Sequence, residues 1–206
     1  MADHDSTNTD RLLQRVTAGD PVALNELISN HRSYLHKVVD LRMEDELRVR
    51  IDPSDVVQQT QLVASQRIDD FLLRRPASFR IWLRLKALEQ LVDMQRRHVN
   101  AAKRSVRREV RISDRSSIAI ARGLFVAAPS QQLRRKEQTA QVHAALESMS
   151  ESDREVLLLR HVEELTNIEV ADVLDIDAAS ASQRYGRALR RLRQKLKTTI
   201  GGYQDD

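Results

Sequence analysis

Residues 165–193, LTNIEVADVLDIDAASASQRYGRALRRLR, constrain the fold of this chain more than any other stretch. Thr166 belongs to the residue types that cap helices, and Ile168, Val170, Ala171, Val173 and Leu174 behind it supply an inner face at helical spacing. Asp175, Ile176 and Asp177 then predict a turn, with Asp177 placed to cap a second helix. In that helix Ala181, Tyr185, Ala188, Leu192 and Leu196 recur every three or four residues. Helix, short turn and second helix predict a helix-turn-helix.

The second helix is thin in front and cationic behind. Ser180, Ser182, Gln183 and Gly186 lie toward its start, and seven bases with no acid lie between Arg184 and Lys197. A helix that enters a DNA major groove by its N-terminal end needs short side chains there. Ser, Gln or Arg then bond base edges, which assigns Ser180, Ser182, Gln183, Gly186 and Arg187 to the groove. Arg184, Arg187, Arg190, Arg191 and Arg193 are spaced to reach phosphates on either side. An ordinary helical hairpin with a solvated basic face is the alternative.

Composition makes the whole chain all-α. Of 206 residues 41% are hydrophobic and 31% charged, only 3% are aromatic, and there are five Gly and four Pro, so strand-forming runs are scarce and helix formers dominate. With no cysteine, disulfides and thiolate metal sites are excluded. The polar, acidic start is no signal peptide, and no apolar run approaches the ~18 residues of a membrane span, so a cytoplasmic chain without membrane insertion is expected. The net charge of +4 conceals a second basic block, residues 96–111, with seven bases and one acid. Two such blocks on an acidic body suit a polyanionic partner, because each gains from counterion release.

Two small helical domains joined by a linker are expected. Asp20-Pro21 and Asp52-Pro53 each read as an N-cap followed by proline at the first helical position. After the first, Val22, Leu24, Leu27, Ile28, Tyr34, Leu35 and Val38 form one amphipathic helix or two. After the second, Val56, Val57, Thr60, Val63, Ala64 and Ile68 share a face opposite Asp55, Gln58 and Gln59. Pro76 predicts a loop over 72–78. A long stripe of Phe79, Trp82, Leu83, Leu85, Leu88, Leu91, Val92 and Met94 follows, in which Trp82 reads as core, with stacking on a base as the alternative. Periodicity weakens from Ser113 to Ser130, where IAIARGLFV has the length of a short docked helix. Beyond it lie helices over 132–149 and 152–164, the latter opened by a Ser152–Glu155 capping-box spacing.

Enzyme chemistry finds no support. The six histidines show no metal-ligand spacing, no glycine-rich phosphate loop is present, and no nucleophile sits in an elbow motif, so neither cofactor nor catalytic residue is expected. A stand-alone helix-turn-helix regulator accounts for residues 150–197 and leaves the first hundred unexplained.

Three stretches in order, DPSDVVQQTQL, FRIWLRLKALEQLVDMQRRH and REVLLLRHVEELTNIEVADVLDIDAASASQRYGRALRRLR, resemble regions 2.2, 2.3–2.4 and 4 of the bacterial sigma-70 family, and among its members the extracytoplasmic-function group. The resemblance implies a disordered tail (1–9), region two (10–112), a linker (113–130), region four (131–200) and a C-terminal tail (201–206). It also implies promoter-specific transcription initiation with RNA polymerase core. Region two would meet the β′ clamp through Asp55, Gln58 and Gln59, and region four the β flap. Arg74, Arg75 and Ser78 would contact the melted −10 element. Arg80, Arg84, Arg96 and Arg97 would hold its backbone, and the helix-turn-helix would read the −35 element. Relatives are often held by an anti-sigma factor, which becomes an expected partner. Ser182 and Gly186 depart from the basic and bulky residues many relatives carry there, so no DNA sequence transfers.

Overall fold

The computed structural model describes residues 2–99, 117, 119–121 and 132–201, which are helices, turns and short loops with no strand among them. The chain is all-α and divides into two compact units, Met1–Val110 and Arg111–Asp206.

The first unit is built on the two predicted Asp-Pro devices. Helix α1 spans Ala2–Thr17 and α2 spans Pro21–Asn30, with the Asp20 carboxylate accepting the Val22 and Ala23 N–H groups at 2.9 and 3.2 Å. Its other oxygen receives Arg15 at 2.7 Å, and that guanidinium with the two amides holds the carboxyl below the usual range. Helix α1 starts at Ala2, inside the stretch read as a disordered tail. No Gly or Pro interrupts residues 2–18, and Leu12 and Leu13 anchor the helix in the core. Helix α3 (Arg32–Arg42) is separate from α2, so the first periodic run is two helices. His31 breaks it, its Nδ1 sitting 2.8 Å from the Leu27 carbonyl and its ring edge-on to Phe79.

After a single turn, α4 (Asp45–Arg48), Asp52 caps α5 (Pro53–Gln66) through the Ser54 N–H at 2.7 Å. Arg67 ends α5, and α6 (Ile68–Arg74) closes on Arg75 in the left-handed region, φ 38°. The loop is therefore only residues 75–78. Ser78 opens α7 (Phe79–Val99), its hydroxyl accepting the Ile81 N–H at 3.3 Å. Phe71, Phe79 and Trp82 meet with centroids 5.1–5.6 Å apart, and Leu83, Ala87 and Leu91 continue the buried stripe. Leu85 and Val22, read as inward-facing, are exposed because no neighbouring helix covers those edges.

The second unit contains α8 (Gln132–Glu147), α9 (Glu151–His161), α10 (Asn167–Leu174) and α11 (Ala178–Gly201). Ser150, not Ser152, caps α9 by accepting the Asp153 N–H, which starts the helix at Glu151. Leu146, Leu157, Leu158 and Leu159 form the centre of this unit. Ser117, Ile120 and Ala121 are helical and fully buried, consistent with a docked helix within the weakly periodic segment; the rest of the predicted linker lies outside the described residues. No helix among the described residues is long and apolar enough to cross a membrane.

Candidate nucleic-acid interface

The helix-turn-helix begins with a reciprocal cap. Thr166 Oγ1 accepts the Glu169 N–H at 3.2 Å while Glu169 Oε2 accepts the Thr166 N–H at 2.9 Å, which satisfies two of the donors a helix start leaves over. Helix α10 stops at Asp175, whose φ of 50° turns the chain into the left-handed region. Asp177 then caps α11. Its Oδ1 accepts the Ser180 N–H at 2.8 Å and its Oδ2 the Ser180 hydroxyl at 2.6 Å, and these bonds, the hydroxyl first, lower its pKa. Asn167 Nδ2 donates across the turn to the Ala178 carbonyl at 2.8 Å, joining the two helix starts directly.

Packing sets which face of α11 is free. Ala181, Ala188 and Leu192 are buried, and the two alanines let α11 lie close to its neighbours. Tyr185 is half-buried. Its hydroxyl is 3.0 Å from His161 Nε2, and the Arg160 guanidinium lies over its ring, 5.3 Å from the centroid. The opposite face presents Ser182, Gln183, Arg184, Arg187, Arg190 and Arg193 to solvent, with Gly186 half-exposed among them. Among the described residues, Arg184, Arg187, Arg190 and Arg193 have no carboxylate partner, leaving their charge available to an anion. Ile168, read as inward-facing, is 68% exposed at the second position of α10.

Two sequence assignments in this helix change. Ser180 stays at the groove-entering end, but its hydroxyl proton is committed to Asp177. Arg191, placed with the phosphate-reaching residues, donates through Nη1 to Asp153 Oδ2 at 2.6 Å. Asp153 is largely buried on α9, so Arg191 joins α11 to α9 and is not a free cation. No local pattern signals this pair, because its members lie 38 residues apart.

In the first unit, Asp55 and Gln58 are exposed and Gln59 half-exposed on one face of α5, as expected. Leu62, at the next turn of that face, is 51% exposed and was missed because an apolar residue reads as core. Arg74, Arg75 and Ser78 lie together at the α6–α7 loop. Arg80 places its guanidinium 4.2 Å from the centroid of Tyr34. Arg96 and Arg97 are exposed near the end of α7, Arg96 at 3.9 Å from Asp93. Arg84 is only 3% exposed inside the bundle, so it cannot hold a DNA backbone. Beyond Val99, the first basic block lies outside the described residues.

Residues 139–192, the helix-turn-helix and the helices before it, match the family model described as Sigma-70, region 4. The chain is also 28% identical over 189 residues to the RNA polymerase sigma factor CnrH of Cupriavidus metallidurans, an alignment covering 90% of this chain and 93% of that protein. The chain therefore carries a sigma-70 region 4, and along most of its length it is similar to a sigma factor. A solved structure of CnrH in complex with the cytosolic domain of CnrY shares the fold of this chain, with a TM-score of 0.50 at 21% identity over 98% of this chain and 99% of the other. Residues 178–192 of α11 fall within the region-four match, so Arg184, Arg187 and Arg190 of the exposed face lie in the matched segment.

The region-four fold should carry a pH dependence. Burial lowers the His161 pKa from its usual 6.5, and the neighbouring Arg160 charge lowers it further. The folded state therefore binds fewer protons here than the unfolded chain, and the contribution to stability is fully present above the unfolded value. It declines as pH falls through about 6.5 toward the lower folded pKa. Trp82, the single tryptophan, lies in the first unit, so its fluorescence follows that unit. The circular-dichroism transition that Trp82 does not follow should fall in temperature between about pH 7.5 and about pH 5.5, and His161→Gln should reduce that fall.

Proposed function

We propose that this chain is an extracytoplasmic-function sigma factor of the sigma-70 family, which binds RNA polymerase core and directs it to a defined class of promoters. In this reading α10 and α11 engage the −35 element, with Gln183 and Arg187 toward base edges and Arg184 and Arg193 toward phosphates. The loop of Arg74, Arg75 and Ser78, with Arg80, Arg96 and Arg97, engages the opened −10 element. Asp55, Gln58, Gln59 and the adjoining Leu62 form the surface for the β′ clamp, and region four meets the β flap. The observation that carries the reading is the α11 face: four arginines without a carboxylate partner among the described residues stand opposite a buried Ala181–Ala188–Leu192 stripe. Cations held in a fixed row on a rigid helix fit the regular phosphate spacing of a duplex. Because the similar protein CnrH has been solved with the cytosolic domain of CnrY, control of this chain by an anti-sigma protein, in the cytoplasm, is part of the proposal.

The test is reconstitution with purified core polymerase. Wild-type chain should co-purify with core and support transcription from a promoter that core alone ignores. Asp55→Lys should weaken the complex about tenfold or more, with an unchanged circular-dichroism spectrum because Asp55 is exposed. Tight, specific binding to duplex DNA without polymerase, together with no affinity for core, would instead favour the stand-alone regulator.

A further inference from the structure

Gly186 leaves a gap in the outward face of α11, and another residue fills it. A β-carbon on Gly186 would lie 3.8 Å from Arg190 Nη1, an ordinary contact, so that side chain borders position 186. Side chains on a helix lean toward its N-terminus, so the long Arg190 side chain runs back over the preceding turn and brings its guanidinium to the surface of position 186. An alanine would fit beside it, but side chains longer than Ala at 186 would compete for that space. Glycine leaves it open, at a cost of about 1 kcal/mol in helix propensity relative to Ala. The displaced charge stands about one helical pitch, ~5.4 Å, closer to the groove-entering end than the Arg190 backbone. It shares that face with Gln183 and Arg187, since positions 183, 186, 187 and 190 follow helical spacing.

We propose that Arg190 is a specificity-determining residue that reads a guanine of the −35 duplex from above Gly186, in place of the side chain position 186 lacks. This rests on the reading of α11 as the upstream-element helix. One observation favours base reading over a phosphate contact: the guanidinium lies toward the front of the helix. Its charge has no carboxylate partner among the described residues, and its paired planar donors match O6 and N7 of guanine. Further back, Arg193 remains at phosphate-reaching spacing. Gly186 then has a use on the outward face: it makes the slot that lets Arg190 lie forward.

The experiment uses the full chain reconstituted with core polymerase on a set of promoters carrying every single-base change in the upstream element. Arg190→Ala should remove about tenfold or more of the preference for guanine at one position while leaving preference elsewhere intact. Gly186→Leu, which fills the slot and favours helix, should cause the same loss at the same position, and the double variant should add little to either. Gly186→Gln supplies a second slot-filling variant if the leucine disturbs packing. A uniform loss on all promoters with Arg190→Ala, or an unchanged base profile with both Gly186 variants, would overturn the proposal and leave the sigma reading standing. If the wild type ignored the upstream element altogether, the reading of α11 would fall and this inference with it.

Discussion

Replacing Trp82 with Ala is expected to destabilise the first unit by about 3–5 kcal/mol, the range for removing a large aromatic side chain from a packed core. Trp82 is 6% exposed and touches Phe71 and Phe79 with ring centroids at 5.1 and 5.6 Å, and those rings lie on α6 and α7 with His31 edge-on behind them. The surrounding helices are tied by backbone hydrogen bonds and cannot collapse into the space, so most of the cavity would persist. Urea unfolding followed by far-ultraviolet circular dichroism should show the first-unit transition at markedly lower denaturant and the second-unit transition unmoved. Trp82→Phe should recover much of the loss. A Trp82→Ala chain of native stability that fails only in promoter opening would assign the indole to base stacking and remove it from the core.

Arg187→Ala should produce the complementary result, a large functional loss in a chain of unaltered stability. The side chain is exposed on α11, one turn beyond Gln183, and has no carboxylate partner among the described residues, so the fold gains little from it. If it reads a base edge, its loss should cost about 1–3 kcal/mol on the preferred −35 sequence, roughly 5- to 150-fold in promoter discrimination. Transcription from templates with single-base changes would show preference relaxed at particular positions. Arg191→Ala provides the contrast. It removes the partner of a largely buried carboxylate, so it should lower the melting temperature of the second unit while leaving the order of base preferences unchanged. If Arg187→Ala gave the same base profile as the wild type, Arg187 would contact the phosphate backbone and not a base edge.

Much of this architecture was legible because its signals are local. Asp20-Pro21 and Asp52-Pro53 start helices, Thr166 and Glu169 close on each other, and α10 occupies the eight residues its periodicity marks out. A cap bonds within three residues, and a fixed φ acts on one, so neither needs the rest of the protein. The outward face of α11 followed for the same reason, since Ala181, Ala188 and Leu192 fix which side turns inward.

What the sequence left open or misled about has a different cause. His31 and Arg67 end helices without the Gly or Pro that ordinarily marks a stop, and at His31 the deciding contact is a ring on α7. Val22, Leu85 and Ile168 hold apolar positions that no neighbour covers, whereas Arg84 holds a polar position that the bundle encloses. The Arg191–Asp153 pair spans 38 residues, and the forward lie of Arg190 depends on an absent side chain one turn away. By itself the sequence determined where helices begin, which stripe of each is apolar, and that one basic helix follows a short turn. Tertiary structure alone decided which stripes are covered and which charges remain free for a partner. Helix caps form between near neighbours on one chain segment, but burial and ion pairing depend on the helices that come to lie alongside.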